Sequence, residues 1–344
     1  MTYSEETVLI ATPALSVVVI GRNEGMRLVH CLKSVRGMRP IDGEVELIYV
    51  DSASTDGSSE RAAALGATVL RVNSRRPSAA LGRNTGWQRA RAPFILFLDG
   101  DTILHPTFAV SSLPDFADPQ VAVVWGHRRE LRPAASIYNE VLDLDWVYPP
   151  GPSAFCGGDA LFRRSVLEQT GGFDAKLIAG EEPELCRRIT GLGYVIQHVD
   201  RPMTGHDLAI RHWSQYWRRA VRAGHAYAEV AARFRKTSQP LWRIEIRRNA
   251  RHAIFLLLLI AVGLGAAAAL RSLVPVAVAI AILAVLVGRT ALRVGWKAHG
   301  LRTRLIYAVH SHLQQIPIFF GQVVYRCDRR AGRRRGLIEY KEAH

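Results

Sequence analysis

The sequence predicts an α/β domain with a mostly parallel sheet, followed by two helices that cross a membrane as a hairpin. Two observations lead to this prediction. Strand-like and helix-like segments alternate over the first 240 residues, and two long apolar runs follow them in close succession. The 344 residues, 49% of them hydrophobic, suffice to bury one large core or two ordinary ones.

Five segments of the first part have the composition of strands, and several are apolar on both faces, as strands of a parallel sheet are. They are LSVVVI (15–20), EVELIYV (44–50), ATVLRV (67–72), FILFL (94–98) and VAVVW (121–125). Helix-like runs lie between them at residues 24–37, 57–65 and 79–91, and the cap-like stretch STDGS introduces the second run.

Polar stretches directly follow three of these strands. GRNEG follows the first strand, DSASTDGS the second and DGD the fourth. In open α/β sheets, ligands bind at the carboxyl ends of the strands. We therefore expect these three stretches to form one binding site.

The stretch DGD places Asp99 and Asp101 two residues apart on a strand-ending turn. Two such carboxylates can share Mg²⁺ or Mn²⁺ and leave coordination positions open for phosphate oxygens. Acids at a strand end are also common as solvated turn residues, so the neighbouring motifs decide between the two interpretations. The four cysteines form no CxxC pair, which argues against a zinc cage or a redox motif.

The basic residues are concentrated in the last third of the chain. The net charge is +15, and the segment from Arg243 onwards holds 17 Lys and Arg against 4 acids. This surplus of 13 leaves only +2 for residues 1–242. We therefore expect the basic residues to face a membrane surface with anionic lipids rather than a nucleic acid.

Two apolar runs, AIFLLLLIAVGLGAAAAL (253–270) and SLVPVAVAIAILAVLVG (272–288), are separated only by Arg271. As helices they would each span about 25 to 27 Å, close to the ~30 Å of a bilayer's hydrocarbon core. Core helices of a soluble protein are the alternative, but such helices normally carry a polar stripe. The runs therefore predict a transmembrane hairpin.

Basic side chains flank this hairpin on both sides. They are Arg243, Arg247, Arg248 and Arg251 before it, and Arg289, Arg293, Lys297, Arg302 and Arg304 after it. By the positive-inside rule both flanks are expected to be cytoplasmic. This places the protein at the cytoplasmic (inner) membrane, with the α/β domain on the cytoplasmic face.

The next apolar segment, residues 305–325, is predicted to be an interfacial amphipathic helix. Ile306, Val309, Leu313 and Ile316 recur in it at helical spacing. A third crossing is the alternative, and it would place the basic tail outside. The predicted domains are 1–237 (α/β), 238–251 (basic juxtamembrane linker), 252–289 (two transmembrane helices) and 290–344 (interfacial helix and tail).

Five ordered blocks of the first part resemble the family 2 glycosyltransferases. They are SVVVIGRNEG, VELIYVDSASTDGS, GRNTGWQRA, FILFLDGDT and GGFDAKLIAGEEPELCRRI, and the resemblance covers residues 14–235. These are inverting enzymes with the Rossmann-like GT-A fold that use nucleotide-diphosphate sugars. The resemblance therefore implies a nucleotide-sugar donor and a divalent metal.

By this resemblance, Asp51 accepts a hydrogen bond from the base of the nucleotide, and Arg83 lies near the nucleotide or its diphosphate. Asp99 and Asp101 serve the ribose and the metal, Mg²⁺ or Mn²⁺, with Asp101 favoured as the direct ligand. Ordinary turn and capping chemistry is the alternative for Asp51 and Asp56. For Arg83 the alternative is a surface position.

In the family, the aspartate of an ED pair at the start of a helix is the catalytic base. Glu182 takes that place here and is one methylene longer than an aspartate. Glu181 and Glu184 are the competing candidates. Acids in the first turn of a helix also simply complement the helix dipole.

The stretch SQYWRR resembles the QxxRW element of processive members, except that Arg219 replaces the tryptophan. The resemblance implies that Gln215 and Arg218 contact the acceptor or the diphosphate. A basic amphipathic helix on the membrane is the alternative. His206 lies where some GT-A enzymes supply a third metal ligand, although a lone histidine is more often structural.

These motifs lead to an expected function. It is an inverting, membrane-associated transfer of a sugar from a nucleotide-diphosphate sugar to a membrane-bound, lipid-linked acceptor, in polysaccharide or glycolipid synthesis. A polyprenyl-phosphate sugar synthase is the first alternative, because it uses the same donor site. A non-catalytic membrane scaffold that binds nucleotide-sugar or anionic lipid is the second.

Overall fold

A computed structural model describes residues 12–333 of the chain. The expectations for residues 1–11, at the start of the predicted α/β domain, and for residues 334–344, at the end of the predicted basic tail, lie outside the described residues. The described chain forms two compact units. The first contains residues 12–126, 151–173 and 188–204, and the second contains residues 127–150, 174–187 and 205–333.

The strands of the described chain number nine. They are β1 (Leu15–Gly21), β2 (Val45–Asp51), β3 (Thr68–Arg71), β4 (Phe94–Asp99), β5 (Thr102–Leu104), β6 (Val121–Glu130), β7 (Gly151–Pro152), β8 (Ala160–Arg163) and β9 (Val195–His206). The predicted strands correspond to β1 to β4 and β6. Their ends differ by one residue at most, except that β6 continues for five residues beyond the predicted end.

The helices within residues 12–333 number twelve. They are α1 (Met26–Arg36), α2 (Ser58–Ala64), α3 (Ala79–Arg89), α4 (Phe108–Ser112), α5 (Ile137–Asp145), α6 (Arg164–Thr170), α7 (Glu181–Gly191), α8 (Trp213–Phe234), α9 (Arg243–Leu270), α10 (Val274–Arg293), α11 (Leu301–Leu313) and α12 (Gln315–Arg330). The predicted helices α1, α2 and α3 are found within two residues of the expected ends.

The strands form one mixed sheet in the order β3-β2-β1-β4-β8-β6-β9-β5, with β7 paired to β9. β3, β2, β1 and β4 are mutually parallel, so their carboxyl ends lie along one edge. β8 runs antiparallel to both β4 and β6. The expected α/β architecture with a mostly parallel sheet is confirmed.

The second unit is mainly helical, and two of its helices cross with their backbones in direct contact. A Cβ added to Gly224 of α8 would lie 1.9 Å from the carbonyl oxygen of Ile318. A Cβ added to Gly321 of α12 would lie 2.1 Å from the carbonyl oxygen of Val221. Only glycine allows such an approach, so these two residues fix where α8 and α12 cross.

Within the described chain, α9 and α10 are the two helices long and apolar enough to cross a membrane, by length and composition. Gly263 of α9 packs against Ala279 of α10. A Cβ added to Gly263 would lie 3.2 Å from the Cβ of Ala279. Arg271 joins them in a left-handed conformation with φ of 48°. Most of their apolar side chains are exposed.

The segment 305–325, expected as one helix, is divided between α11 and α12, which meet at Gln314. Pro317 is the third residue of α12. A proline has no backbone N–H to donate and is tolerated only in the first turn of a helix. The single predicted helix is therefore wrong at this point, because Pro317 requires a new helix to begin just before it.

Candidate active site

The loops after β1 and β2 are tied to each other by reciprocal hydrogen bonds. Asn23 Oδ1 accepts the Thr55 N–H at 2.8 Å, and Asp56 Oδ2 accepts the Gly25 N–H at 2.8 Å. Asp56 Oδ1 also accepts the Ser58 N–H at 3.0 Å, at the start of α2. Although partial burial opposes it, these hydrogen bonds lower the pKa of Asp56. Asp56 therefore joins the two loops and accepts the first N–H of α2.

Asp51 is the last residue of β2, and its carboxylate is held in one orientation. The Tyr49 hydroxyl donates to Oδ1 at 3.1 Å, and the Ser54 N–H donates to Oδ2 at 3.0 Å. Burial and the nearby charge of Asp51 raise the pKa of Tyr49 well above its usual value, so this hydroxyl stays a donor. Each carboxylate oxygen can accept more than one hydrogen bond, which leaves Asp51 with capacity for a ligand.

Asp99 ends β4, and Arg83 of α3 reaches it from within the fold. Arg83 Nη2 lies 2.9 Å from Asp99 Oδ1, and the guanidinium lies 5.6 Å from the ring centre of Phe173. Arg83 is only 1% exposed, so the alternative of a surface position is wrong. Its observed contact fixes the first acid of the DGD turn.

Asp101 is buried in the turn between β4 and β5. The Gly100 N–H donates to the Ile20 carbonyl at 2.8 Å, and the Thr102 hydroxyl donates to the Asp99 carbonyl at 2.8 Å. A Cβ on Gly100 would lie 3.1 Å from the Ile20 carbonyl oxygen, tighter than most such contacts. The glycine therefore allows the turn to lie against the end of β1.

Asp159, just before β8, is a member of this site that the sequence analysis missed. Its carboxylate is fully buried and accepts the backbone N–H of Asp99 at 2.9 Å. No recognised motif includes it, and the stretch CGGDA offers only an isolated acid after two glycines as a signal.

The acids of this unit fit a divalent cation that takes one or two ligands from the protein and the others from water and phosphate. Within residues 12–333, no group of three or more His, Cys, Asp or Glu side chains forms a complete metal site. The Cys31 thiol lies beside these acids, 3.6 Å from the Asp99 carbonyl oxygen, and burial together with the charges of Asp159, Asp101 and Asp99 raises its pKa. Mg²⁺ commonly uses one or two carboxylates and completes its shell with water and phosphate oxygens.

Glu182, the predicted base, belongs to the second unit and lies in the first turn of α7. Glu181 and Glu184 are 5% and 7% exposed, whereas Glu182 is partly exposed. A residue that takes a proton from a substrate must be reachable by it. The difference in exposure favours Glu182 among the three glutamates.

The other predicted residues of the second unit are His206, Gln215 and Arg218. His206 is buried, and its ring lies edge-on to Trp146 with 5.0 Å between ring centres. Gln215 Oε1 accepts the N–H groups of Arg211 and His212, at 2.8 and 3.0 Å, and so caps α8. Arg218 is exposed.

Comparisons with known proteins agree with these features. Residues 16–171 match the model of the family described as "Glycosyl transferase family 2". A pre-mycofactocin glycosyltransferase of Mycobacterium tuberculosis is 29% identical over 244 residues, which cover 66% of this chain and 49% of that protein. The glycosyltransferase AglE of Haloferax volcanii is 23% identical over 227 residues, covering 63% of this chain and 74% of AglE. The matched region thus spans about half the length of the mycobacterial relative.

A solved structure shares the fold. It is the mannosyltransferase PcManGT from Pyrobaculum calidifontis in complex with GDP-Man and Mn²⁺, with a TM-score of 0.59, 23% identity and coverage of 88% of both chains. Residues 16–171 are therefore similar to the family 2 glycosyltransferases, and the chain shares the fold of the GT-A glycosyltransferases.

Proposed function

We propose that this chain is a membrane-associated, inverting glycosyltransferase that moves a sugar from a nucleotide-diphosphate sugar to a membrane-bound, lipid-linked acceptor. The observation that carries the proposal is the gathering of four residues in one unit. Asp51 and Asp99 end β2 and β4, Asp101 lies in the turn after β4, and Arg83 on α3 contacts Asp99. Such an edge of parallel strands is where α/β proteins bind nucleotides.

The donor contacts follow from the geometry of these residues. Asp51, held by Tyr49 and Ser54, accepts a hydrogen bond from the nucleotide base. Asp99 and Asp101 would hold Mg²⁺ or Mn²⁺, and a bound divalent cation neutralises charge on a diphosphate leaving group. Arg83 keeps the Asp99 carboxylate in place for this role. The GDP-Man and Mn²⁺ named for the Pyrobaculum protein belong to the same class of donor and metal.

Glu182 acts as the base. It takes the proton from the acceptor hydroxyl as that oxygen attacks the anomeric carbon, so that the new glycosidic bond forms while the bond to the diphosphate breaks. A single displacement of this kind inverts the configuration of the anomeric carbon. Arg218 is assigned to the acceptor or the diphosphate, and His206 to the metal, by resemblance alone.

Membrane association is supported by helices whose apolar side chains face outward. α9 and α10 have this character over most of their length, and α11 shows it in a sharper form. Leu301, Leu305, Val309 and Leu313 of α11 are all exposed, whereas His310 on the same helix is buried. We call these four residues the α11 stripe. A helix in water buries its leucines and exposes its histidines, so the stripe favours contact with lipid.

Basic residues near these helices set the proposed orientation. They lie in the first turns of α9 and the last turns of α10 and continue after α10, which favours a cytoplasmic membrane face rich in anionic lipid. A lipid-linked acceptor agrees with an anchor of this kind, because the acceptor and the enzyme then occupy the same surface.

A thermal-shift panel tests the donor part of the proposal. Purified protein in detergent is heated with UDP-, GDP- or dTDP-sugars, with Mn²⁺ or with EDTA. We expect at least one sugar nucleotide to raise Tm only when Mn²⁺ is present, because a ligand that binds the native state stabilises it. The same donor, radiolabelled, should then label a lipid fraction of the membrane. A panel in which no donor shifts Tm would contradict the proposal.

A further inference from the structure

Asp159 lies where the ladder between β4 and β8 ends. In this antiparallel pair Phe97 is opposite Ala160, so Asp159 is the residue just before the ladder on β8. Asp99 lies two residues after Phe97 on β4. The N–H of Asp99 therefore lies past the last paired residue of β8, and the side chain of Asp159 accepts it in place of a backbone carbonyl.

The contacts of Asp159 connect the DGD turn to a second strand. Its Oδ1 accepts the Asp99 N–H at 2.9 Å, and its Oδ2 accepts the Thr204 hydroxyl at 2.8 Å. Both Asp159 and Thr204 are buried, at 0% and 4% exposure. A carboxylate that is out of water and bonded at both oxygens has one orientation, so it can fix its partner.

Asp99 is consequently fixed at two points. Arg83 holds its carboxylate, and Asp159 holds its peptide. A carboxylate loses its hydration when it is buried, and hydrogen bonds within the fold have to replace that hydration. The Asp159 carboxylate supplies the hydrogen-bond acceptor that the Asp99 N–H would otherwise lack, and it does so from a fixed orientation.

We propose that Asp159 is a positioning residue for the metal-binding pair, which holds the Asp99 peptide so that the Asp99 and Asp101 carboxylates keep the geometry that a divalent cation requires. The proposal rests on the proposed function. Residues that orient metal ligands contribute about 10 to 100-fold to metal affinity. Thr204 in turn keeps the Asp159 carboxylate in place.

The test compares Asp159→Ala with Asp159→Asn. Alanine leaves the Asp99 N–H without its acceptor. Asparagine keeps the size, accepts the Asp99 N–H through its Oδ1 and can donate its amide to the Thr204 hydroxyl. Mn²⁺ is titrated at a fixed concentration of the nucleoside diphosphate that gives the wild type its largest shift, and the half-saturating Mn²⁺ concentration is read from Tm and by calorimetry.

We expect Asp159→Ala to raise the half-saturating Mn²⁺ concentration about 10 to 100-fold and Asp159→Asn to stay within about threefold of the wild type. Thr204→Val, which removes only the outer hydrogen bond, should fall between them. Val166→Ala, in the core of the same unit, controls for a general loss of stability and should lower Tm without changing the half-saturating Mn²⁺ concentration.

Two results would overturn the role of Asp159 and leave the proposed function intact. One is an Asp159→Ala protein with wild-type Mn²⁺ dependence, and the other is an Asp159→Asn protein as weak as the alanine variant, which would assign the effect to charge. If Asp159→Ala does not fold, Thr204→Val decides, and wild-type Mn²⁺ dependence in that variant counts against the inference. A wild type without Mn²⁺-dependent nucleotide binding would overturn the proposed function as well.

Discussion

The sheet of the first unit and helix α11 of the second distribute polar and apolar side chains in opposite ways. Val17, Val18 and Val19 of β1 are fully buried, and the acids of the first unit stand where its strands end. On α11, His310 is buried and the four leucine and valine side chains of the α11 stripe are exposed. The difference teaches that burial follows polarity in the sheet and not on α11, which is the pattern that the proposed contact of α11 with lipid requires.

The interior of the second unit contains a network of polar side chains beside an apolar cluster. Asp145 Oδ2 and His310 Nε2 lie 3.1 Å apart, and His310 Nδ1 lies 2.8 Å from the Tyr216 hydroxyl. The Tyr307 hydroxyl donates to Asp145 Oδ1 at 2.9 Å. Polar side chains thus connect α5, α8 and α11 within the second unit. Satisfied networks of this kind specify one arrangement of the helices.

The largest effect is expected at the acids of the first unit. Asp101→Asn keeps the shape of the turn and removes the charge that a divalent cation needs, so it should abolish transfer and Mn²⁺-dependent donor binding. Transfer is measured with radiolabelled donor, and donor binding by thermal shift with Mn²⁺ or EDTA.

Asp56→Asn is the matched control, because Asp56 is an acid of a neighbouring loop whose carboxylate accepts the backbone N–H groups of Gly25 and Ser58. It should retain Mn²⁺-dependent binding. Unchanged metal-dependent affinity in Asp101→Asn would refute the role of the acid pair.

The next largest effect is expected on turnover, when the proposed base Glu182 of the second unit is replaced. Glu182→Gln keeps the size of the side chain and removes its basicity, so turnover should fall about 10² to 10⁴-fold while donor affinity stays nearly intact. Initial rates and donor titrations measure the two quantities separately.

Glu181→Gln and Glu184→Gln control for the charge of this helical turn and should have the smaller effects. Full activity of Glu182→Gln would move the base to one of these neighbours. It would also favour a phosphate acceptor, as in a polyprenyl-phosphate sugar synthase, because a phosphate nucleophile needs no strong base.

A smaller effect is expected on the stability of the second unit. Gly224→Ala would bring a methyl group into the Ile318 carbonyl, and such overpacking costs about 1 to 3 kcal/mol or more. Thermal unfolding in detergent measures the change.

Gly288→Ala on α10 is the matched control, since nothing lies within 4 Å of an added Cβ there. Alanine is the better helix former by about 1 kcal/mol, so this variant should be neutral or stabilising. Equal behaviour of the two variants would show that the backbones of α8 and α12 do not touch at Gly224.

The smallest effect is a local spectroscopic one at the α11 stripe. Leu305→Cys, made in a Cys327→Ser background because Cys327 is exposed and the other three cysteines are buried, is labelled with a polarity-sensitive dye. In vesicles with anionic lipid, its emission should shift to the blue. Arg302→Cys, an exposed site on the same helix, should report water. Water-like emission from both sites would contradict the lipid contact.

The sequence predicted the sheet well because its strands are short apolar runs that end in polar stretches. Asp51, Asp99 and Asp101 could be named for the same reason, since strand ends converge at one edge. Asp159 could not, because its contact with Asp99 depends on the pairing of β8 with β4, which periodicity does not reveal. The burial of Arg83 depends in the same way on how α3 packs.

The apolar face predicted for residues 305–325 is exposed only in part, and the interfacial location stays a prediction. Val309 and Leu313 are exposed as an interfacial helix requires, but Ile306 and Ile316 are partly buried. Helical spacing identifies a face without showing whether water, lipid or protein covers it. The exposed residues instead recur every four positions from Leu301.

The central claim, sugar transfer with inversion, is tested most directly by the configuration of the product. An α-linked sugar nucleotide is incubated with the full-length protein and its membrane acceptor, and the anomeric coupling constant of the product is measured by NMR. A single displacement assisted by Glu182 gives a β-glycoside, and we expect that product. An α-glycoside would contradict the mechanism, because retention requires a second displacement.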